Sequence, residues 1–188
     1  MILATLVLLC ITVCFFRFLK VTYTVSGKTY YCFCYKSSGL TEEIFSIRAN
    51  GGAGYILNKD GENFFVVSIY KDKKIAQAVT AQNNGVLQEI SLPLLTFSDK
   101  TQANEQKKAY DTVLNTVETL LDLSLDFDNG RLSLDALKSR LETVKAYLRS
   151  EVLPFSLSSF GEDIANDSAF VKFLACEVLS CAVKYFAQ

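Results

Sequence analysis

Three short stretches of the chain resemble catalytic or ligand-binding motifs. The first, Ser26-Gly27-Lys28-Thr29, matches the end of a phosphate-binding loop, in which backbone amides and a lysine hold phosphate groups. The first glycine of that motif would stand at position 22, but the chain has Thr22 there. A strand, and not a helix, is predicted to follow. The stretch therefore predicts no nucleotide site.

The other two stretches are rich in carboxylates. Asp126, Asp128, Gly130 and Asp135 resemble part of a calcium-binding loop, yet the glycine stands one place early and no glutamate closes the loop. A turn that caps a helix is the better interpretation. Glu162 and Asp163 are paired acids of the kind that glycosidases use, but nothing in the sequence places two carboxylates across a cleft.

Composition excludes several classes of function. The chain has no histidine, which removes imidazole bases, Ser-His and Cys-His nucleophile pairs, and histidine-containing zinc sites. Its 19 basic and 20 acidic residues leave a net charge of -1, so the positive surface that attracts nucleic acid is missing. We therefore expect a protein without catalytic residues, metal or cofactor, and without a nucleic-acid partner.

The six cysteines do not have the spacing of a disulfide framework. Cys-x-Cys in a predicted strand is too constrained for an easy mutual bond, and two cysteines five apart in a helix lie on different faces. We predict buried free thiols that pack as small apolar groups. The residues are Cys10, Cys14, Cys32, Cys34, Cys176 and Cys181.

Residues 1–19 form an apolar run that is interrupted by Arg17 alone. At ~1.5 Å per residue a helix of this length reaches roughly 28 Å, close to the ~30 Å hydrocarbon core of a bilayer. A cleaved signal peptide is the weaker interpretation, since no basic region precedes the run. The run predicts an N-terminal transmembrane helix. Basic residues follow it and none precedes it, so the positive-inside rule alone places the main domain in the cytoplasm.

The next segment, residues 20–97, predicts a compact α+β domain. Thr, Val, Tyr and Phe are enriched where strands are expected, and Gly and Asn mark the turns. The predicted strands are 23–35, 55–57, 63–70 and 86–92, and the predicted helices are 40–49 and 73–82. The order β-α-β-β-α-β is that of a ferredoxin-like sheet with two helices on one face.

Residues 28–92 carry a family resemblance. The stretch 60–70, DGENFFVVSIY, with Ala76 in the helix behind it, resembles the second half of a SPOR (sporulation-related) domain. Tyr30-Tyr31-Cys32-Phe33 and Gly51-Gly52-Ala53-Gly54-Tyr55 are similar in layout to its first half. The resemblance implies a membrane-anchored bacterial envelope protein that binds peptidoglycan glycan strands in cell division, sporulation or wall remodelling. We expect an extracytoplasmic domain, because this implication outweighs the positive-inside rule.

The resemblance also implies where glycan would bind. By strand alternation, the open sheet face would carry Phe64, Val66 and Ser68, with Tyr31 and Phe33 on the first strand of the same sheet. Both faces of the strand 63–70 are apolar, so a face covered by another element is an alternative to a sugar site.

Residues 98–188 predict a helical domain that could be this cover. Two amphipathic stripes, at 104–123 and from Leu134 to Leu148 behind the capping residue Ser133, predict a helical hairpin. A third helix, 168–186, is apolar around most of its circumference. Two functions follow: glycan binding through the SPOR-like domain, or a structural and interaction role in which the C-terminal helices dock a protein partner.

Overall fold

The computed structural model describes residues 22–37, 39, 41–149, 153–158 and 164–188. The predicted membrane anchor at 1–19, with Cys10 and Cys14, lies outside these residues, as do Glu162 and Asp163. Within the described residues no helix is long and apolar enough to cross a membrane.

The described chain contains six strands and five helices in an α+β arrangement. The strands are β1 (Tyr23–Val25), β2 (Lys28–Lys36), β3 (Tyr55–Lys59), β4 (Glu62–Tyr70), β5 (Val86–Leu92) and β6 (Leu95–Phe97). The helices are α1 (Thr41–Ala49), α2 (Lys73–Gln82), α3 (Lys100–Asp128), α4 (Leu134–Arg149) and α5 (Asp167–Phe186). The predicted α+β class is confirmed, and the predicted first strand is divided in two at Ser26 and Gly27.

Four strands form an antiparallel sheet in the order β3-β4-β2-β5. A second sheet has two strands, β1 and β6, with Tyr23 opposite Phe97. The register between β2 and β4 shifts at one point, because Phe33 pairs with Ser68 while the next residue, Cys34, pairs with Val66. β4 therefore has one extra residue at this bulge. After the bulge, the side chains of β4 point to the opposite faces from those that simple alternation along the strand would give.

Helices cover both faces of the four-stranded sheet. α2 contacts β2, β4 and β5, and its N-terminus is capped by Asp72, whose carboxylate accepts from the amides of Lys74 and Ile75 at 2.7 and 3.1 Å. α5 lies on the opposite face, against β3, β4 and β5. The sheet is thus the middle layer of the molecule.

The two halves of the chain share one core. One cluster of buried side chains joins Tyr30 and Val66 of the sheet to Val113 of α3, Leu137 of α4 and Leu174 of α5. Lys28 of β2 also pairs with Glu118 of α3 across the boundary. The regions 20–97 and 98–188, predicted as separate domains, therefore contribute side chains to one buried cluster.

Candidate functional site

The side chains predicted to bind glycan are divided between the two faces of the sheet. Tyr31 is half-buried on the α2 side, where the Nζ atom of Lys73 lies 5.6 Å from the centre of its ring. Phe33, on the same face, is buried and contacts Tyr35 edge-on with 5.1 Å between ring centres. Ser68 stands opposite Phe33 because of the bulge, and is half-buried.

Phe64 and Val66 belong to the opposite face, which α5 covers. Their exposed fractions are 5% and 0%, and both belong to the cluster that contains the buried side chains of α5. The prediction that Phe64 and Val66 lie on an open sheet face is wrong. They lie on a face that another element covers, which was the alternative. The five predicted residues, Tyr31, Phe33, Phe64, Val66 and Ser68, are not brought together on one surface.

α5 covers the sheet through closely packed apolar and aromatic contacts. Tyr55 on the edge strand β3 lies edge-on to Phe173 of α5, with 5.4 Å between ring centres. Leu174 and Leu179 are fully buried. Burying a leucine side chain contributes about 1.5–3 kcal/mol relative to exposing it, so a helix with many such side chains is held firmly.

Three cysteine thiols lie at this interface between sheet and helix. Cys32 and Cys34 on β2 and Cys176 on α5 are all buried, and all described cysteines are free. Burial raises the pKa of the Cys34 thiol to about 12 and raises the pKa values of Cys32 and Cys176 well above the ordinary thiol value. Thiols held neutral in this way are poor nucleophiles.

No grouping of three or more cysteine, aspartate or glutamate side chains among the described residues could hold a metal ion. The four described cysteines are free, as predicted. Cys32, Cys34 and Cys176 are also buried as predicted, whereas Cys181 is only half-buried. This interface has the character of a packed core, in which sulfur fills space between apolar neighbours.

The strongest polar site is a junction at the N-terminal end of α5, which we call the lysine junction: Lys172, Asp128, Ser168 and Gly51. Lys172 is only 8% exposed, and its Nζ atom donates to the carbonyl oxygen of Gly51 at 2.9 Å. The same amine lies 2.9 Å from Oδ2 of Asp128, at the end of α3. Ser168 donates from Oγ to Oδ1 of Asp128 at 3.3 Å.

The local sequence explains why these groups meet. Asn166 caps α5 by accepting from the amide of Ala169 at 3.2 Å, and its side-chain amide donates to the carbonyl oxygen of Ala49 at the end of α1. Gly51 has a φ of +77°, a left-handed conformation that glycine adopts without strain, and this turns the chain after α1 towards α5. Three helices are therefore joined at one point.

A cavity of about 590 Å³ opens beside the lysine junction. Its walls include Leu134 and Lys138 of α4 and Asp167 of α5, besides Asp128 and Lys172. The amine of Lys172 is engaged by a carboxylate and a carbonyl oxygen, so it is neither a free base nor a nucleophile. This arrangement holds helices together through an ion pair between a buried lysine and an aspartate whose side chain is 43% exposed.

A second buried charged residue on α5, Glu177, binds the segment that connects α4 to α5. Glu177 is 4% exposed and accepts hydrogen bonds from both the amide and the hydroxyl of Ser158, at 2.5 and 2.6 Å. Sequence reasoning did not assign a role to Lys172 or Glu177. The available signal was the position of these two charged residues inside the stretch 169–183, whose other members are apolar side chains, cysteines or a serine.

Comparisons of the chain with protein-family models, with curated proteins and with solved structures found no significant match.

Proposed function

We propose that the chain is a non-enzymatic, single-pass membrane-anchored interaction protein, in which the C-terminal helix α5 permanently covers the sheet. One observation carries the proposal: the sheet face available for a ligand in a SPOR-like unit is here part of the core, with Phe64 and Val66 at 5% and 0% exposure. The apolar run at 1–19 supports the anchor, and the absence of histidine supports a role without catalysis.

We further propose that β2 to β5 with α1 and α2 form a ferredoxin-like unit. Support comes from the order β3-β4-β2-β5 with antiparallel pairing, since this is the order that a split β-α-β plan requires. α5 is then an addition to that plan on the face opposite α2.

The partner would be a protein that meets the outer surface of α3 and α4. α5 is buried and leaves little surface for docking, whereas Leu125 near the end of α3 is 51% exposed and Leu134 at the start of α4 is 47% exposed. These two leucines flank the turn between the helices. Exposed apolar side chains on a helical hairpin are a common feature of protein interfaces.

Glycan binding is the second candidate, and the strand order favours it as well. It requires either that α5 leaves the sheet or that glycan binds through Tyr31 and its neighbours on the α2 side. It also requires the extracytoplasmic location that the SPOR resemblance implies. The interaction role carries no such requirement and is compatible with the positive-inside rule.

Retention on purified peptidoglycan separates the two candidates. The full chain in detergent is mixed with sacculi and sedimented, beside a Tyr31→Ala variant that leaves the α5 interface untouched. The interaction role predicts no saturable retention of either protein. Saturable retention of the wild-type chain that is lost in Tyr31→Ala would reject our proposal in favour of glycan binding.

The positive test uses site-specific photo-crosslinking in cells. A photoreactive residue at Leu134 should give a discrete protein adduct, and the Leu125→Asp change should abolish that adduct without altering the amount of folded protein. A photoreactive residue at Phe45, which is 64% exposed on α1, is the matched control and should give no adduct of the same size. An adduct that does not respond to Leu125→Asp would remove this surface as the docking site.

A further inference from the structure

One corner of the molecule combines an exposed apolar side chain with the point where the described chain begins. β1 starts at Tyr23 and pairs with β6, and both strands contact α3. The loop before β6 carries Leu94, which is 64% exposed. We call this region the ribbon corner, defined by Leu94, by Phe97 and Tyr185, which are half-buried, and by Phe186, which is buried.

A cavity of about 510 Å³ opens at the ribbon corner, between β6 and the C-terminal end of α5. Its walls are apolar and aromatic side chains together with glutamine amides such as those of Gln102 and Gln106. None of the described residues that line it is charged, in contrast to the cavity beside the lysine junction, which has Asp128, Lys138, Asp167 and Lys172 in its walls.

The length of the connection places this corner near the membrane. Four residue steps separate Leu19, the last residue of the apolar run, from Tyr23. At a maximum of ~3.3–3.6 Å per residue they span at most about 14 Å. The headgroup layer on each side of a bilayer is roughly 5–8 Å thick. Tyr23, which pairs with Phe97, therefore lies at most about 6–9 Å beyond the headgroup layer whenever residues 1–19 span the bilayer.

We propose that the ribbon corner rests in the headgroup layer of the membrane that residues 1–19 anchor. Phenylalanine and tyrosine side chains with neutral polar neighbours suit this layer, where apolar bodies are buried and polar groups stay hydrated. The inference rests on the anchor in the proposed function. It adds a second contact that fixes how the domain is oriented, with the α1 end of the molecule directed away from the lipid.

The test uses the absence of tryptophan from the chain, so that one introduced tryptophan is the sole reporter. Leu94→Trp reports on the ribbon corner. Phe45→Trp is the matched control, because Phe45 is also 64% exposed and α1 contacts the N-terminal part of α5, whereas the ribbon corner lies at its C-terminal end. Each full-length variant is reconstituted into phosphatidylcholine vesicles with plain or brominated acyl chains, and flotation is measured beside fluorescence.

The expected result is flotation of both variants, with fluorescence lost in brominated vesicles for Leu94→Trp and retained for Phe45→Trp. Flotation with no quenching at position 94 would overturn the lipid contact while leaving the anchor intact. A blue-shifted but unquenched tryptophan at position 94 would also overturn it, because a second copy or a segment of the chain would then fill the groove. Failure of both variants to float would reject the anchor itself.

Discussion

At the scale of single residues, the lysine junction explains how a helix as apolar as α5 is fixed in position. Apolar packing is not directional. Lys172, in contrast, donates a hydrogen bond to the carbonyl oxygen of Gly51 and pairs with the carboxylate of Asp128, each at 2.9 Å. We expect Lys172→Met to lower the free energy of unfolding by about 1–3 kcal/mol, because the carbonyl of Gly51 loses its donor and Asp128 its counter-charge. Urea unfolding measures the change.

Lys138→Met is the matched control for this prediction. Lys138 lies 3.9 Å from Asp167 with a side chain that is 54% exposed, so its loss should change the free energy of unfolding by less than about 0.5 kcal/mol. Equal effects of the two substitutions would mean that the contacts of Lys172 do not stabilise the junction.

The buried thiols predict a difference in reactivity. Cys181 is half-buried, while Cys176 is fully buried. Burial raises the pKa of both thiols, so the two are separated by access to a reagent. In the native chain, Cys181→Ala should remove a thiol that reacts rapidly with a disulfide reagent, and Cys176→Ala should remove none. Loss of a rapidly reacting thiol in Cys176→Ala would contradict the burial of this interface.

The same burial predicts the pH dependence of stability. The Cys34 thiol has a pKa of about 12 in the fold against 9.0 when unfolded, so between these values the unfolded chain loses a proton that the folded chain keeps. The contribution of this thiol is fully present below pH 9 and falls above it, with a slope of up to about 1.4 kcal/mol per pH unit. Cys34→Ala should give a shallower decline of unfolding free energy between pH 9 and 11 than the wild-type chain. Identical slopes would remove Cys34 as a contributor.

The bulge in β4 shows why strand alternation assigned some faces wrongly. Counting by two from Phe64 puts Val66 and Ser68 on one face, and this holds only as far as the extra residue. Ser68 then stands opposite Phe33 on the α2 side. Nothing in the sequence of β4 indicates the bulge, because the strand contains neither glycine nor proline.

At the scale of elements, the helices were predicted well where their apolar stripes are regular. The stripes at 104–123 and 168–186 correspond to α3 and α5, and their ends move outwards to the capping residues Asp99 and Asn166. An apolar stripe indicates that one face of a helix is buried, but it does not indicate which element covers that face. The packing of α5 on the sheet could therefore not be read from its sequence.

α5 should be the element whose packing matters most to stability. Leu179 is fully buried between α5 and its neighbours, and Leu179→Ala should lower the free energy of unfolding by about 2–5 kcal/mol through lost burial and the cavity left behind. Leu125→Ala, at a position that is 51% exposed, is the control and should cost less than about 1 kcal/mol. A small effect at Leu179, measured in urea, would mean that α5 is not firmly packed.

At the scale of the whole molecule, the shared core predicts that both halves of the chain unfold together. The cluster of buried side chains joins β2, β4 and β5 to α3, α4 and α5, so neither half keeps its core when the other melts. Helix content followed by far-UV circular dichroism and tyrosine environment followed by fluorescence should give superimposable transitions. Separate midpoints would restore the two-domain organisation predicted from the sequence.

The central claim is that α5 covers the sheet face permanently, and hydrogen exchange of the full chain tests it most directly. We predict that the backbone amides in the centre of α5 exchange as slowly as those of β2 and β4, because all of them open only when the molecule unfolds. Exchange in α5 that is orders of magnitude faster than in the two strands would contradict the claim. It would mean that the helix leaves the sheet and that the face with Phe64 and Val66 becomes available to a ligand.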